Sequence, residues 1–220
     1  MLSAALLAFQ QIFSPPFRSV FWRSIGLTVG LLAVVWIGVH TGMDAMMPAL
    51  PENWLWFANF VTGLVLAVGL GFLVAPVTGL FAGLFLDEVA EVVERTHYPQ
   101  DPPGKPLDFW TGLASALRFT GLLVVVNAAL LLLLLLPGVN VPIFFVVNAY
   151  LIGREYFEFV ASRFHDPQTV RQMRQRFSGK LFLAGLIITA VLAVPILNLL
   201  TPLFATALMV HVYKALARIE

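Results

Sequence analysis

Two short turns constrain what this chain can fold into more than any other feature. Pro137-Gly138-Val139-Asn140-Val141-Pro142 and Pro195-Ile196-Leu197-Asn198-Leu199-Leu200-Thr201-Pro202 each break a stretch otherwise apolar enough for a bilayer. Both read Pro-x-x-Asn, with a second proline soon after the asparagine. A spanning helix needs ~20 apolar residues. The arm after the first turn offers only about eleven before Arg154, and both arms of the second hold about fifteen. The pattern predicts helical hairpins that enter the membrane, turn, and leave by the same side. Backbone that is not helical at membrane depth must be buried in protein or line a wet cavity. A chain that builds this twice is making a path for something polar.

Composition sets the class. Hydrophobic residues make up 60% of the sequence and charged residues 11%, with a mean hydropathy of +0.89. A soluble domain of this size cannot hide so much apolar surface, which makes this an integral membrane protein. The net charge of +1 points to no nucleic-acid partner. With no cysteine there is no disulfide, thiolate metal site or cysteine nucleophile. The four histidines are scattered without metal-ligand spacing, and neither a phosphate-cradling Gly-x-x-x-x-Gly-Lys-Ser/Thr nor a Gly-x-Ser-x-Gly occurs. The expectation is a non-enzyme, without cofactor and not driven by ATP.

The fold class that follows is an all-α integral membrane protein, organised as a single membrane domain over 1–220. It combines two long transmembrane helices, two re-entrant (hemi-penetrating) hairpins and an N-terminal interfacial helix. Leu2, Leu6, Phe9 and Phe13 share one helical face over 1–14, and Pro15-Pro16 ends it. A first span covers 18–40. After a polar loop, Trp54 and Trp56 mark an interface and open a long second helix over 54–95. Glu91 and Arg95 stand at ion-pair spacing on its projecting end. Hairpin 1 covers 109–164 and hairpin 2 covers 166–217. Asp166-Pro167 starts a helix that opens with Arg171, Arg174, Arg176 and Lys180 and continues into its apolar part.

All thirteen Lys and Arg residues fall on one side of this arrangement, and the loop between the two spans has none. The positive-inside rule then places both termini in the cytoplasm. Full spanning by the hairpins would put Arg154 or the basic 171–180 stretch in lipid, at ~3 kcal/mol per charge.

Several residues are candidates for handling a polar cargo. Phe17, Arg18 and Ser19 open the first span, where free N–H groups and an adjacent arginine make an anion site. The simpler role for Arg18 is an anchor in the headgroups. Arg154-Glu155, with Glu158 one turn on, is either a functional ionisable cluster or an Arg154–Glu158 ion pair. Asp87 and Glu88 are a solvated helix end or part of a charged vestibule. Asn140 and Asn198 cap their turns or line a path. Gly26/Gly30, Gly38/Gly42 and Gly79/Gly83 have Gly-x-x-x-Gly spacing, for which packing within one chain is the first expectation.

Taken in order, four stretches resemble the bacterial CysZ sulfate permeases, which share a domain with eukaryotic etoposide-induced proteins. They are Ser14-Pro15-Pro16-Phe17-Arg18, Gly83-Leu84-Phe85-Leu86-Asp87, Leu136-Pro137-Gly138-Val139-Asn140 and Val194-Pro195-Ile196-Leu197-Asn198-Leu199. The resemblance implies two long transmembrane helices with two hemi-penetrating hairpins, in dimers or higher homo-oligomers in the bacterial inner membrane. It implies uptake of sulfate or a related oxyanion for cysteine synthesis, without ATP hydrolysis. It also implies an anion-binding role for Arg18. Ser19 stands where the family has a second arginine, and Asp87 where it has glutamate. A membrane scaffold or lipid-organising protein, and a non-selective channel, are the alternatives.

Overall fold

The computed structural model describes residues 1–46, 52–108 and 140–218, with positions 110, 114, 117, 118, 121, 122, 124–126 and 128 between them. The turn at 137–139, the side chain of Asn140 and most of the incoming arm of hairpin 1 lie outside the described residues. The described helices are α1 (Leu2–Ile12), α2 (Pro15–Met46), α3 (Glu52–Gly83), α4 (Leu86–His97), α5 (Asn140–Ala161), α6 (Pro167–Arg176), α7 (Ser178–Leu192), α8 (Pro195–Asn198) and α9 (Thr201–Ala217). The protein is an all-α membrane protein. Residues Pro15–Met43 of α2 and Trp54–Gly71 of α3 are long and apolar enough to cross a bilayer, and α6 and α7 form a bent pair.

Two helices expected to be continuous are divided. The helix expected over 54–95 is interrupted at Leu84 and Phe85, whose N–H groups donate to Phe81 O and Ala82 O. Those i→i−3 bonds tighten the last turn and let α4 leave in a new direction. The helix expected from Asp166 breaks at Phe177, where α6 and α7 meet at 84°. The basic residues Arg171, Arg174 and Arg176 therefore lie on a helix of their own, and α7 begins with Ser178 and Gly179. Asp166 caps α6 by accepting from the Gln168 and Thr169 N–H groups, with Pro167 in the first turn.

The core is organised around α9. Every residue from Thr201 to Lys214 is buried, and α1, α4, α5 and α7 pack around it. A helix buried on all sides belongs at the centre of a domain. Phe157, Leu203, Leu208, Met209 and Val210 are fully buried there, each contributing ~1.5–3 kcal/mol through burial. α4 presents Val89, Ala90 and Val93 inward and keeps Asp87, Glu88, Glu91 and Arg95 toward its other faces. α1 buries Ala8, Gln11 and Ile12, while Leu2, Leu6, Phe9 and Phe13 are exposed on its opposite side.

Hairpin 2 is bound to α5 by close backbone approach. A Cβ at Gly185 would collide with the Ala149 carbonyl, and one at Gly153 with the Leu181 carbonyl. Only glycine permits this separation of α5 and α7. The Gly-x-x-x-Gly pairs behave otherwise. A Cβ at Gly26, Gly30, Gly38, Gly42 or Gly79 would meet nothing within 4 Å. Among the described residues the intrachain packing expected of those glycines is not made. α2 and α3 pair along other faces and leave Trp22, Val34, Ile37, Trp56, Phe60 and Val65 exposed, as helices bathed in lipid do.

Candidate anion site

Arginine is the side chain suited to oxyanions, because its planar fork matches two oxygens at once and it stays charged. The structure distributes its arginines among three kinds of setting.

The first is sealed. Arg163, just past α5, is 1% exposed as a side chain, and its Nε lies 3.2 Å from Oε1 of Glu94, itself 4% exposed. Its Nη1 also pairs with Asp87. The Gly104 N–H donates to Glu94 Oε2 at 2.9 Å, and Lys105 N–H donates to the Arg163 carbonyl at 2.8 Å. These bonds tie the loop after α4 to the end of α5. Burial pushes the Asp87 carboxyl up, against the pull of Arg163. Asp87 is thus half-buried and paired, and Glu88 pairs with Arg23 at 3.1 Å. Asp87 is not a plain solvated helix end, whereas the Arg23–Glu88 pair is exposed. Glu91 and Arg95 form the expected i,i+4 pair.

The second is the start of α2. Arg18 is exposed, and among the described residues no hydrogen bond or ion pair engages its guanidinium. Ser19 is half-buried. Phe17 is 1% exposed and belongs to the hydrophobic core, so its side chain does not face an arriving ion. Pro15 and Pro16 have no N–H to offer, and Arg18 N–H already donates to Ser14 O. An anion here depends on the Arg18 side chain, not on a row of main-chain donors.

The third is a cleft of about 480 Å³ between α5 and α6, lined by Arg154, Glu158, Ser162, Val170, Arg171 and Arg174 among others. α6 is seated on the core by Val170 and Met173, both 2% exposed, which turns Arg171 and Arg174 toward α5. Glu158 pairs with Arg174 across the cleft, Nη1 to Oε2 at 2.6 Å. The i,i+4 pair expected between Arg154 and Glu158 is replaced by this inter-helix one. Among the described residues the one ion pair of Arg154 is with Glu155, its Nε 3.9 Å from Oε1. That exceeds hydrogen-bond distance, and the buried Nε has no hydrogen-bond partner. Burial pushes the Glu155 carboxyl up, with Glu158 adding to the effect and Arg154, Arg118 and Arg174 opposing it. A smaller cavity of about 190 Å³, bounded by Tyr150, Leu181 and Phe182, shares Arg154 and Arg174 as lining residues.

The remaining candidates stand apart. Asn198 is half-buried in the second turn, where its own N–H donates to Val194 O at 2.8 Å. Its side chain makes no hydrogen bond among the described residues and caps neither α8 nor α9. Asn140 begins α5, and its side chain lies outside the described residues. Sequence reasoning did not identify Arg163 and Glu94 as a pair. It placed Arg171 and Arg174 in the basic stretch of hairpin 2 without bringing them to Arg154. Among the described residues no cluster of three or more His, Asp and Glu side chains is placed to hold a metal ion.

Comparison with known families decides the class. The model for the sulfate transporter CysZ/etoposide-induced protein 2.4 family matches residues 4–202. The chain belongs to this family. Its members are transporters rather than enzymes, which gives the protein a general role in sulfate transport and makes an oxyanion its expected cargo. The match covers both long helices, the arginine cleft and the first residues of α9. No curated protein matched the chain.

Proposed function

We propose that this protein is an inner-membrane permease that admits sulfate or a related oxyanion to the cytoplasm for cysteine synthesis, without ATP hydrolysis. The observation that carries this reading is the exposed Arg18, without a protein counter-ion among the described residues, at the head of a spanning helix in a chain of a sulfate-transporter family. An ion meeting the membrane surface encounters Arg18 and the Ser19 hydroxyl, and charged groups around the hairpins continue the route. Both termini lie in the cytoplasm, the hairpins enter from that side, and copies of the chain associate as dimers or larger homo-oligomers. The short lengths of α7 and α9 support re-entry. At 1.5 Å per residue they reach ~23 and ~26 Å, less than the ~30 Å hydrocarbon core.

Radiolabelled sulfate uptake into proteoliposomes tests the reading, comparing wild type with Arg18→Ala. Uptake above protein-free vesicles, several-fold lower in the variant, is expected. Equal uptake in both removes Arg18 from the route. No uptake above protein-free vesicles returns the chain to a scaffold role.

A further inference from the structure

We propose that the cleft between α5 and α6 is a binding site for a tetrahedral oxyanion, free in solution or carried as a lipid phosphate headgroup, held by Arg154, Arg171 and Arg174. The inference takes from the permease reading only the choice of sulfate as a probe.

Charge is the first argument. Three guanidiniums and one carboxylate line the cleft, a net charge of +2. Like charges held on two rigid helices repel unless a counter-ion sits among them. Glu158 is already engaged by Arg174, and among the described residues Arg171 has no ion pair or hydrogen bond. Even with Glu155, 3.9 Å from Arg154, the protein supplies two carboxylates for three cations there.

Hydrogen bonding is the second. The Arg154 Nε is shut off from solvent and lacks an acceptor, and Glu155 stands too far away at 3.9 Å. A buried donor of a charged group left without a partner is costly. The Arg154 side chain as a whole is 35% exposed and lines the cleft, so an oxygen there meets the open part of its guanidinium, a charge that no protein acceptor satisfies at Nε. A tetrahedral oxyanion presents oxygens in several directions, which suits forks arriving from both helices. The Ser162 side chain lines the same cleft and adds a hydroxyl donor.

Rigidity is the third. Arg154 follows Gly153, whose contact with the Leu181 carbonyl locks that turn of α5 against α7. α6 is fixed at its start by the Asp166 cap and along its length by Val170 and Met173. Neither helix has to be ordered when an ion arrives, so little binding energy is lost to reorganisation. The smaller cavity beyond Arg154 and Arg174 is bounded by Tyr150, Leu181 and Phe182.

The test is calorimetric titration of the purified full-length protein with sodium sulfate and with inorganic phosphate, in the Arg18→Ala background so that only the cleft is read. Residual binding is expected, weakened at least tenfold by Arg154→Gln and several-fold by Arg171→Gln. Arg171 is exposed, so its replacement leaves the fold intact even if Arg154→Gln does not. Repeating the titration in nanodiscs of phosphatidylcholine alone, and with phosphatidylglycerol added, separates the sources. Competition by the anionic lipid, lost in Arg171→Gln, assigns the cleft to headgroups. Unchanged sulfate binding assigns it to the free ion. No binding in the Arg18→Ala background in any medium, together with no arginine-dependent lipid effect, overturns the proposal. Binding without uptake in vesicles leaves the site standing and removes the permease reading.

Discussion

Arg154 and Arg163 lie on and just past the same helix, α5, and meet opposite fates. Arg163 is sealed between Glu94 and Asp87, its charge answered within the protein and its neighbours stitched to it by main-chain bonds. Arg154 opens onto a cleft with two more arginines, its nearest carboxylate beyond hydrogen-bond distance and its Nε unsatisfied. The difference separates an arginine that holds the fold from one left available to a ligand. The two also differ in burial, with 1% of the Arg163 side chain exposed against 35% of Arg154. What matters is whether the partner is internal.

The largest effect that would break this comparison belongs to the sealed pair. Arg163→Leu strands Glu94 as a buried, uncompensated carboxylate, which costs ~3–5 kcal/mol. Thermal unfolding in detergent should show a large drop or loss of the folded protein. Arg154→Gln should stay within ~1 kcal/mol of wild type, since the arginine it replaces lacks a close internal partner. If both variants unfold alike, the two arginines do not differ in kind.

Next in size is the glycine contact that holds the cleft in shape. Gly185→Ala drives a methyl into the Ala149 carbonyl, and overpacking of this sort costs ~1–3 kcal/mol. Gly30→Ala, with open space around it, should leave the melting temperature of the isolated protein unchanged. Equal melting of both variants would mean that α5 and α7 are not in close contact.

A smaller effect sharpens the picture of the closed region. Gln11 Oε1 can only accept, so His211 Nε2, 3.2 Å away, carries a proton and donates to it; in the neutral ring Nδ1 then accepts from Tyr98 OH at 2.8 Å. Gln11 Nε2 in turn donates to His97 Nδ1 at 2.9 Å. This arrangement suits a neutral ring. Burial, with His97 adding to it, lowers the His211 pKa from 6.5 to about 4. Between these values the unfolded chain binds the proton and the folded one does not, so stability falls as pH drops from 6.5 toward 4. Melting curves at pH 7.5 and 5 should show this, with a weaker dependence in His211→Gln. A slope unchanged by the substitution would place the titrating group elsewhere.

Much of the fold was legible because its signals are local. Apolar length marked α2 and α3, Pro15-Pro16 separated α1 from α2, and Asp166-Pro167 announced α6. The bend at Phe177 was missed because the apolar run after Ser178-Gly179 reads on smoothly from the basic helix. The central position of α9 was also hidden. Its composition suits lipid and protein interior equally, and only the packed structure tells them apart. The ion pairs failed for a different reason. Arg163 and Glu94 are far apart in sequence, and Glu158 chose Arg174 on another helix over Arg154 on its own. Sequence spacing ranks partners within a helix but not across one. Arg18 was singled out by its place before a span and is exposed there, whereas Phe17 beside it turned inward to the core.

The central claim is that arginines left open by the fold, not those it seals, handle the oxyanion. Its most direct test is the initial rate of radiolabelled sulfate uptake into proteoliposomes at sub-saturating sulfate, with wild type and Arg154→Gln compared at equal amounts of folded protein. The account predicts uptake by wild type above protein-free vesicles and a several-fold lower rate for Arg154→Gln. Equal rates for the two proteins, or no uptake by wild type beyond protein-free vesicles, would contradict it.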